Sequence, residues 1–226
     1  LFDLLFNVLP DTHKQILTVQ YRMRRNIGNL ISQVFYEGKI ATEVDDKNRM
    51  HPIKKFAGKS IIWVDTSIMD KKDESRLKGG SYCNYAENNL IKKLLENFKR
   101  EGVLSQLDIG IITGYRGQKD LIRKSVNNSG YDRIAKGIDI NTLDAFQGRE
   151  NDVIIYSTVR TKNSIGFQKE KERVNVAFSR AKNLLIICGD MDFFYRFDDP
   201  DNKFIEIIDY ICEHEDECLI IPGGEI

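Results

Sequence analysis

Apolar residues at Ile27, Leu30, Ile31, Val34 and Phe35 recur at helical spacing, as do Leu90, Ile91, Leu94, Leu95 and Phe98, and both segments predict amphipathic helices. Further helices are expected over 115–127, 171–182 and 203–213, where Leu121, Ile122 and Val126, and then Phe204, Ile207, Ile208 and Ile211, repeat the pattern. Between them lie short runs at 61–64, 109–113, 138–142, 153–159 and 184–188 that are β-branched or continuously apolar. Runs of that kind read as strands buried on both faces. Their alternation with helices predicts an α/β fold, three layers around a mainly parallel sheet, with ligands gathered at the carboxyl ends of the strands. The polar stretches 42–60 and 66–82 are expected as surface loops. Residues 190–226 are expected as an acidic helix and tail completing a single domain.

Composition narrows the class. With 226 residues, 41% of them apolar, the chain is long enough to bury a real core. No stretch approaches the roughly 18 consecutive apolar residues of a membrane helix, and the start, Leu1-Phe2-Asp3, has neither Met nor a basic leader. A soluble piece of a longer protein is expected, with no membrane partner. Four cysteines form no C-x-x-C pair, which favours a reducing compartment: the cytoplasm, or the nucleus if the source is eukaryotic. Cys212, His214 and Cys218 offer only three candidate metal ligands inside an acidic run, and are expected to be a solvated helix end. Net charge is zero, but residues 190–226 hold 12 acidic and 2 basic side chains, leaving the body at +10. A basic body suits phosphate contacts, and the acidic tail is expected to face away from them.

Several motifs fail. Gly58-Lys59-Ser60 supplies only the second half of G-x-x-x-x-G-K-[ST]; Ile53 stands where the first glycine belongs, and a strand follows instead of a helix. Gly114 and Gly117 lack the preceding glycine of a dinucleotide fingerprint, and none of His13, His51 and His214 lies near a nucleophile elbow.

Four segments do carry chemistry. They are Gln20-Tyr21-Arg22-Met23; Thr113-Gly114-Tyr115-Arg116-Gly117-Gln118; Thr142-Leu143-Asp144-Ala145-Phe146-Gln147-Gly148-Arg149-Glu150; and Arg173-Val174-Asn175-Val176-Ala177-Phe178-Ser179-Arg180-Ala181-Lys182. In the last, Val174, Phe178 and Ala181 fall on one helical face and Arg173, Ala177 and Arg180 on another. An arginine fixed at the rim of a sheet suits a phosphoryl group, whose spreading charge a planar guanidinium stabilises. Taken singly, Arg180 could equally pair with a surface carboxylate, and Tyr21 could be a half-buried ring at a helix start.

In order and spacing the four segments resemble motif IV, the segment after it, motif V and motif VI of the superfamily 1 helicases, most closely the up-frameshift-like branch that moves 5′ to 3′. The likeness runs from about Leu17 to Gly189. It implies the second, C-terminal RecA-like motor domain of an ATP-dependent DNA or RNA helicase or translocase, lacking its own Walker A loop and inactive alone. It further implies ATP with Mg2+, bound mainly by an N-terminal RecA-like domain of the same protein, and single-stranded DNA or RNA as partner.

By the same resemblance Arg22 and Arg180 meet the γ-phosphate, where such arginines contribute on the order of 10³ to 10⁵ in rate. Gln20, Tyr21, Gly148 and Glu150 contact nucleotide, with Tyr21 on the base and Glu150 near the ribose. Gln147 and Arg173 couple the two sites, and Thr113, Tyr115 and Thr142 hold the strand. Two departures stand out. Gly114 replaces a proline and is expected to loosen a turn, and Glu170 and Glu172 replace Asp and Arg, leaving Arg173 without its usual neighbour. The alternatives are a non-catalytic nucleic-acid-binding or scaffold domain with a degenerate RecA-like fold and, more remotely, a nucleotide-binding oxidoreductase.

Overall fold

In the computed structural model, residues 8–10, 13, 17–146 and 148–226 are described. The strands are β1 (Val19–Gln20), β2 (Ala41–Thr42), β3 (Ile61–Asp65), β4 (Ser75–Arg76), β5 (Tyr82–Cys83), β6 (Asp108–Thr113), β7 (Gly137–Thr142), β8 (Asn151–Ser157), β9 (Ala181–Gly189) and β10 (Cys218–Pro222). The helices are α1 (Arg25–Tyr36), α2 (Tyr85–Arg100), α3 (Arg116–Ser129), α4 (Lys171–Phe178), α5 (Met191–Arg196) and α6 (Phe204–Glu213).

Six strands form one all-parallel sheet in the order β10-β3-β9-β8-β6-β7. Alternate residues along β3 pack on opposite faces. Ile61 and Trp63 join a core with α1, α4, α5 and α6, while Ile62 and Val64 join a second core with α2 and α3. The three layers follow from this two-sided burial, since strands with no polar face must be covered twice. Asn84 caps α2, its side-chain oxygen accepting from Glu87 N at 3.1 Å. Among the described residues no helix is long and apolar enough to cross a membrane.

Three expectations change. The helix expected over 171–182 ends at Phe178, because Ala181 already pairs with Asn151 in the sheet, and burying β9 between β8 and β3 outweighs one more helical turn. Ala177, placed with Arg173 and Arg180 on an exposed face, is fully buried. The acidic tail is not only helical: Cys218-Leu219-Ile220-Ile221 forms the edge strand β10, paired with β3 at the far side of the sheet from β7. That four-residue apolar run was readable but masked by the surrounding carboxylates.

The near-miss phosphate loop also resolves. Gly58 O and Lys59 O accept from Arg24 Nη2 and Nη1 at 2.8 and 3.0 Å. The turn thus directs carbonyl oxygens at a guanidinium, the polarity opposite to that of a phosphate cradle.

Candidate functional site: a guanidinium rim and an aromatic cleft

The turn between β1 and α1 is organised by Gln20. Its Oε1 accepts from Arg22 N and Met23 N, both at 2.8 Å, and its Nε2 donates to Thr42 Oγ1 at 2.7 Å and Met23 O at 3.1 Å. All four hydrogen-bonding positions of the amide are thereby used within the chain. The side chain expected to contact nucleotide is the clamp of its own loop. Arg49 holds the same turn from outside, donating from Nε to Arg22 O at 2.8 Å and from Nη2 to Tyr21 O at 3.2 Å. Gly28 makes the clamp possible: a Cβ there would lie 2.1 Å from Thr42 Oγ1 and 2.6 Å from Gln20 Nε2.

From this turn Tyr21 projects outward, 63% exposed, its hydroxyl donating to Glu43 Oε2 at 3.2 Å. Arg22 reaches Glu150 Oε2 from Nε at 2.6 Å and Ser179 O from Nη1 at 3.3 Å, and its side chain stays 38% accessible. Arg180 lies beside it, half-buried, donating from Nε to Val176 O at 2.9 Å and from Nη1 to Arg149 O at 3.3 Å. Burial and then the neighbouring Arg22 charge lower the Arg180 pKa, with Glu150 and Tyr36 opposing. Gly148, at φ +84 with open space where a Cβ would stand, lets the chain turn just before Glu150. Of the residues that the resemblance placed at the nucleotide, the structure thus brings Arg22, Glu150 and Arg180 side by side, with Gly148 in the turn before Glu150.

Their location was misjudged. Glu150 immediately precedes β8, Arg180 immediately precedes β9, and Arg24 N donates to Lys182 O at 2.7 Å. The rim therefore lies at the amino ends of the strands, not at the carboxyl ends where the fold class placed it.

The carboxyl ends hold a different feature, a cleft of 370 Å³ whose walls include Tyr82, Tyr115, Arg116, Thr142, Asp144 and Phe167. Thr113 is fully buried and Tyr115 is 5% exposed, its ring packed between Tyr82 at 5.6 Å and Phe167 at 5.3 Å. Neither side chain is presented outward as expected; Thr142, half-buried, does line the cleft. At Gly114 φ lies outside the left-handed region and a Cβ would meet Phe167 at an ordinary 3.5 Å, so the backbone there does not require glycine.

Motif V joins the two ends. From Thr142 at the carboxyl end of β7, the short turn Leu143–Phe146 buries Phe146 beneath the sheet and the chain re-emerges at Glu150 beside β8. Gln147, expected to couple the sites, lies outside the described residues. Arg173 finds its own neighbours, Glu170 at 2.8 Å and Asp144 at 3.6 Å, and sits 5.4 Å over the Phe167 ring. Its partners therefore belong to the cleft side of motif V and not to the rim that carries Arg22 and Arg180.

A buried polar network behind the cleft was missed. Gln118 Oε1 accepts from Asn84 N at 2.8 Å, and its Nε2 donates to Ser157 Oγ at 2.9 Å. Ser157 Oγ donates in turn to Glu87 Oε2 at 2.5 Å, and Thr158 Oγ1 to Glu87 Oε1 at 3.1 Å. The sequence signal was Glu87 itself, a carboxylate on the same stripe of α2 as Leu90, Ile91 and Leu94.

Comparison with known proteins agrees with the motif reading. The family model described as an AAA domain matches residues 1–192. The DNA polymerase alpha-associated DNA helicase A of Saccharomyces cerevisiae is 31% identical over 94% of this chain and 32% of its own length. The ATP-dependent helicase upf1 of Schizosaccharomyces pombe is 35% identical over 77% of this chain and 19% of its own, and the helicase SEN1 of Saccharomyces cerevisiae 34% identical over 77% and 8%. The chain thus spans a third or less of these relatives.

Proposed function

This chain belongs to the up-frameshift-like branch of the superfamily 1 helicases, as a C-terminal RecA-like domain, and from that membership we propose that it is the second motor domain of an ATP-dependent nucleic-acid helicase or translocase. The observation that carries the reading is a charge imbalance: two adjacent guanidinium groups, Arg22 and Arg180, face one carboxylate, Glu150, on a half-open rim. A site with that surplus fits a polyanion, and the planar, permanently charged forks suit phosphate oxygens.

In this reading Arg22 and Arg180 stabilise charge on the γ-phosphate, and Glu150 and Ser179 O keep Arg22 aimed across the rim. Tyr21 offers an exposed ring to the adenine, and Gln20 and Arg49 hold the backbone that carries it. ATP supplies the phosphoryl group whose transfer drives stepping, with Mg2+ and the phosphate loop contributed by an N-terminal RecA-like domain. Single-stranded DNA or RNA lies at the opposite, carboxyl end of the sheet, and motif V is the covalent link between the two sites.

The test is Arg180→Ala in the intact protein. ATP turnover falls by about 10³-fold or more, while single-strand affinity stays near wild type. Turnover within a few-fold of wild type would remove the rim from the catalytic site. Arg180→Lys fails similarly, because a point charge lacks the bidentate fork.

A further inference from the structure

With Thr113 and Tyr115 buried, the cleft at the carboxyl ends of β6 and β7 needs other groups to hold a strand. One wall is a hairpin in the segment expected to be an irregular loop. β4 pairs antiparallel with β5, and the tip closes through Leu77 N to Ser81 O at 2.8 Å and Gly80 N to Leu77 O at 2.9 Å. The hairpin is seated on the start of α3, where Ser81 Oγ accepts from Gly117 N at 3.0 Å. A Cβ on Gly117 would stand 2.6 Å from Leu77 Cδ1 and 2.9 Å from Tyr82 O, so close seating requires glycine there. From the other side the Arg160 guanidinium lies 4.3 Å over the Tyr82 ring and 3.4 Å from Glu74. These contacts make the hairpin a fixed wall.

Opposite it Phe167 leaves 43% of its surface exposed, backed by the Tyr115 ring. Arg116, lining the cleft, and Lys78, at the hairpin tip, are exposed, and their side chains make no hydrogen bond or ion pair among the described residues. Asp144, the acidic residue of the lining, is already 3.6 Å from Arg173. Arg116 also stands in the first turn of α3, which has no acidic residue and no side-chain cap. A cation there adds to the positive end of the helix dipole and is uncompensated among the described residues. An exposed ring beside unpaired cations suits a polymer that alternates flat bases with phosphates.

We propose that the β4–β5 hairpin, with Arg116 and Phe167, is a gripping wall for single-stranded nucleic acid, with bases against Phe167 and phosphates at Arg116 and Lys78. The proposal rests on the motor reading and names the side chains that hold its strand.

The test uses the full-length protein and short fluorescein-labelled oligodeoxythymidine and oligouridine, with anisotropy followed across a salt series. Arg116→Ala and Lys78→Ala each weaken binding and reduce the slope of log affinity against log salt by about 0.7, the loss of one phosphate contact on a single strand. Phe167→Ala weakens binding roughly ten- to a hundred-fold with the slope unchanged, and Phe167→Trp restores it. Lys93→Ala, an exposed cation on α2, is the control and changes neither quantity. Wild-type affinity and slope in the three cleft variants, or an equal loss in the Lys93 control, overturns the proposal and leaves the motor reading standing. A wild-type protein that binds neither oligonucleotide overturns both. The stronger of the two probes identifies the polymer.

Discussion

Both oxygens of Glu87 accept from the backbone N–H of Val159, at 2.9 and 3.0 Å, and Val159 is a buried β-branched residue held at φ +70. That backbone region is strained for valine, and persists only where surrounding contacts over-determine it. The Glu87 carboxyl group does so at the exit of β8, from which Arg160 reaches the hairpin.

Burial raises the Glu87 pKa from 4.5 to about 8, against the lowering effect of Ser157, Val159 and Thr158. The folded chain therefore binds a proton between those values that the unfolded chain releases, and stability falls as pH rises through that window. Each tenfold change in proton affinity is worth about 1.4 kcal/mol, so the loss across the window is about 5 kcal/mol. Urea unfolding of the chain at pH 5 and pH 8 measures it. Glu87→Gln, which cannot ionise, flattens the difference; a Gln variant with the wild-type slope would assign it elsewhere.

Glu150 is engaged by Arg22 at 2.6 Å, which separates two roles for its carboxylate. If it aims Arg22, Glu150→Gln lowers turnover of ATP and 2′-deoxy-ATP by the same factor in the intact protein. We expect that equality; a selective loss with ATP would instead put the carboxylate on the ribose hydroxyl.

Two glycines should respond oppositely to alanine. Gly28→Ala drives a methyl into Thr42 and the Gln20 amide, so the Arg22 turn shifts and turnover drops more than stability. Gly114→Ala meets only ordinary contacts at an ordinary φ, and raises stability by about 0.4–1 kcal/mol through the unfolded chain. Melting temperature and steady-state turnover of the two variants side by side decide this.

Phe178 is fully buried, 5.3 Å from the Tyr156 ring and 6.2 Å from that of Phe204, two residues before Arg180. Phe178→Ala leaves a cavity and costs about 3–5 kcal/mol, readable as a fall in denaturant midpoint. Phe178→Leu retains more of the packing and loses less.

Helices 25–36, 85–100 and 204–213 were legible because each carries an apolar stripe at helical spacing, and the central strands because each carries an unbroken run of buried apolar residues. The end of α4 was not, since Ser179-Arg180-Ala181-Lys182 continues a helical pattern and only pairing of β9 with β8 and β3 overrides it. β10 was hidden by its acidic flanks, and the hairpin by strands of two residues each, too short to show alternation.

By itself the sequence determined the layered α/β plan and the family, and singled out residues 22, 150 and 180 as one candidate group, because residue types in ordered motifs survive without coordinates. Only the tertiary structure decided that this group sits at the amino ends of the strands and the cleft at the carboxyl ends. It also decided that Gln20, Thr113 and Tyr115 face inward while Arg116, Lys78 and Phe167 face out. The physical reason is that side-chain direction and burial depend on which distant segments pack nearby, and local spacing carries no record of that.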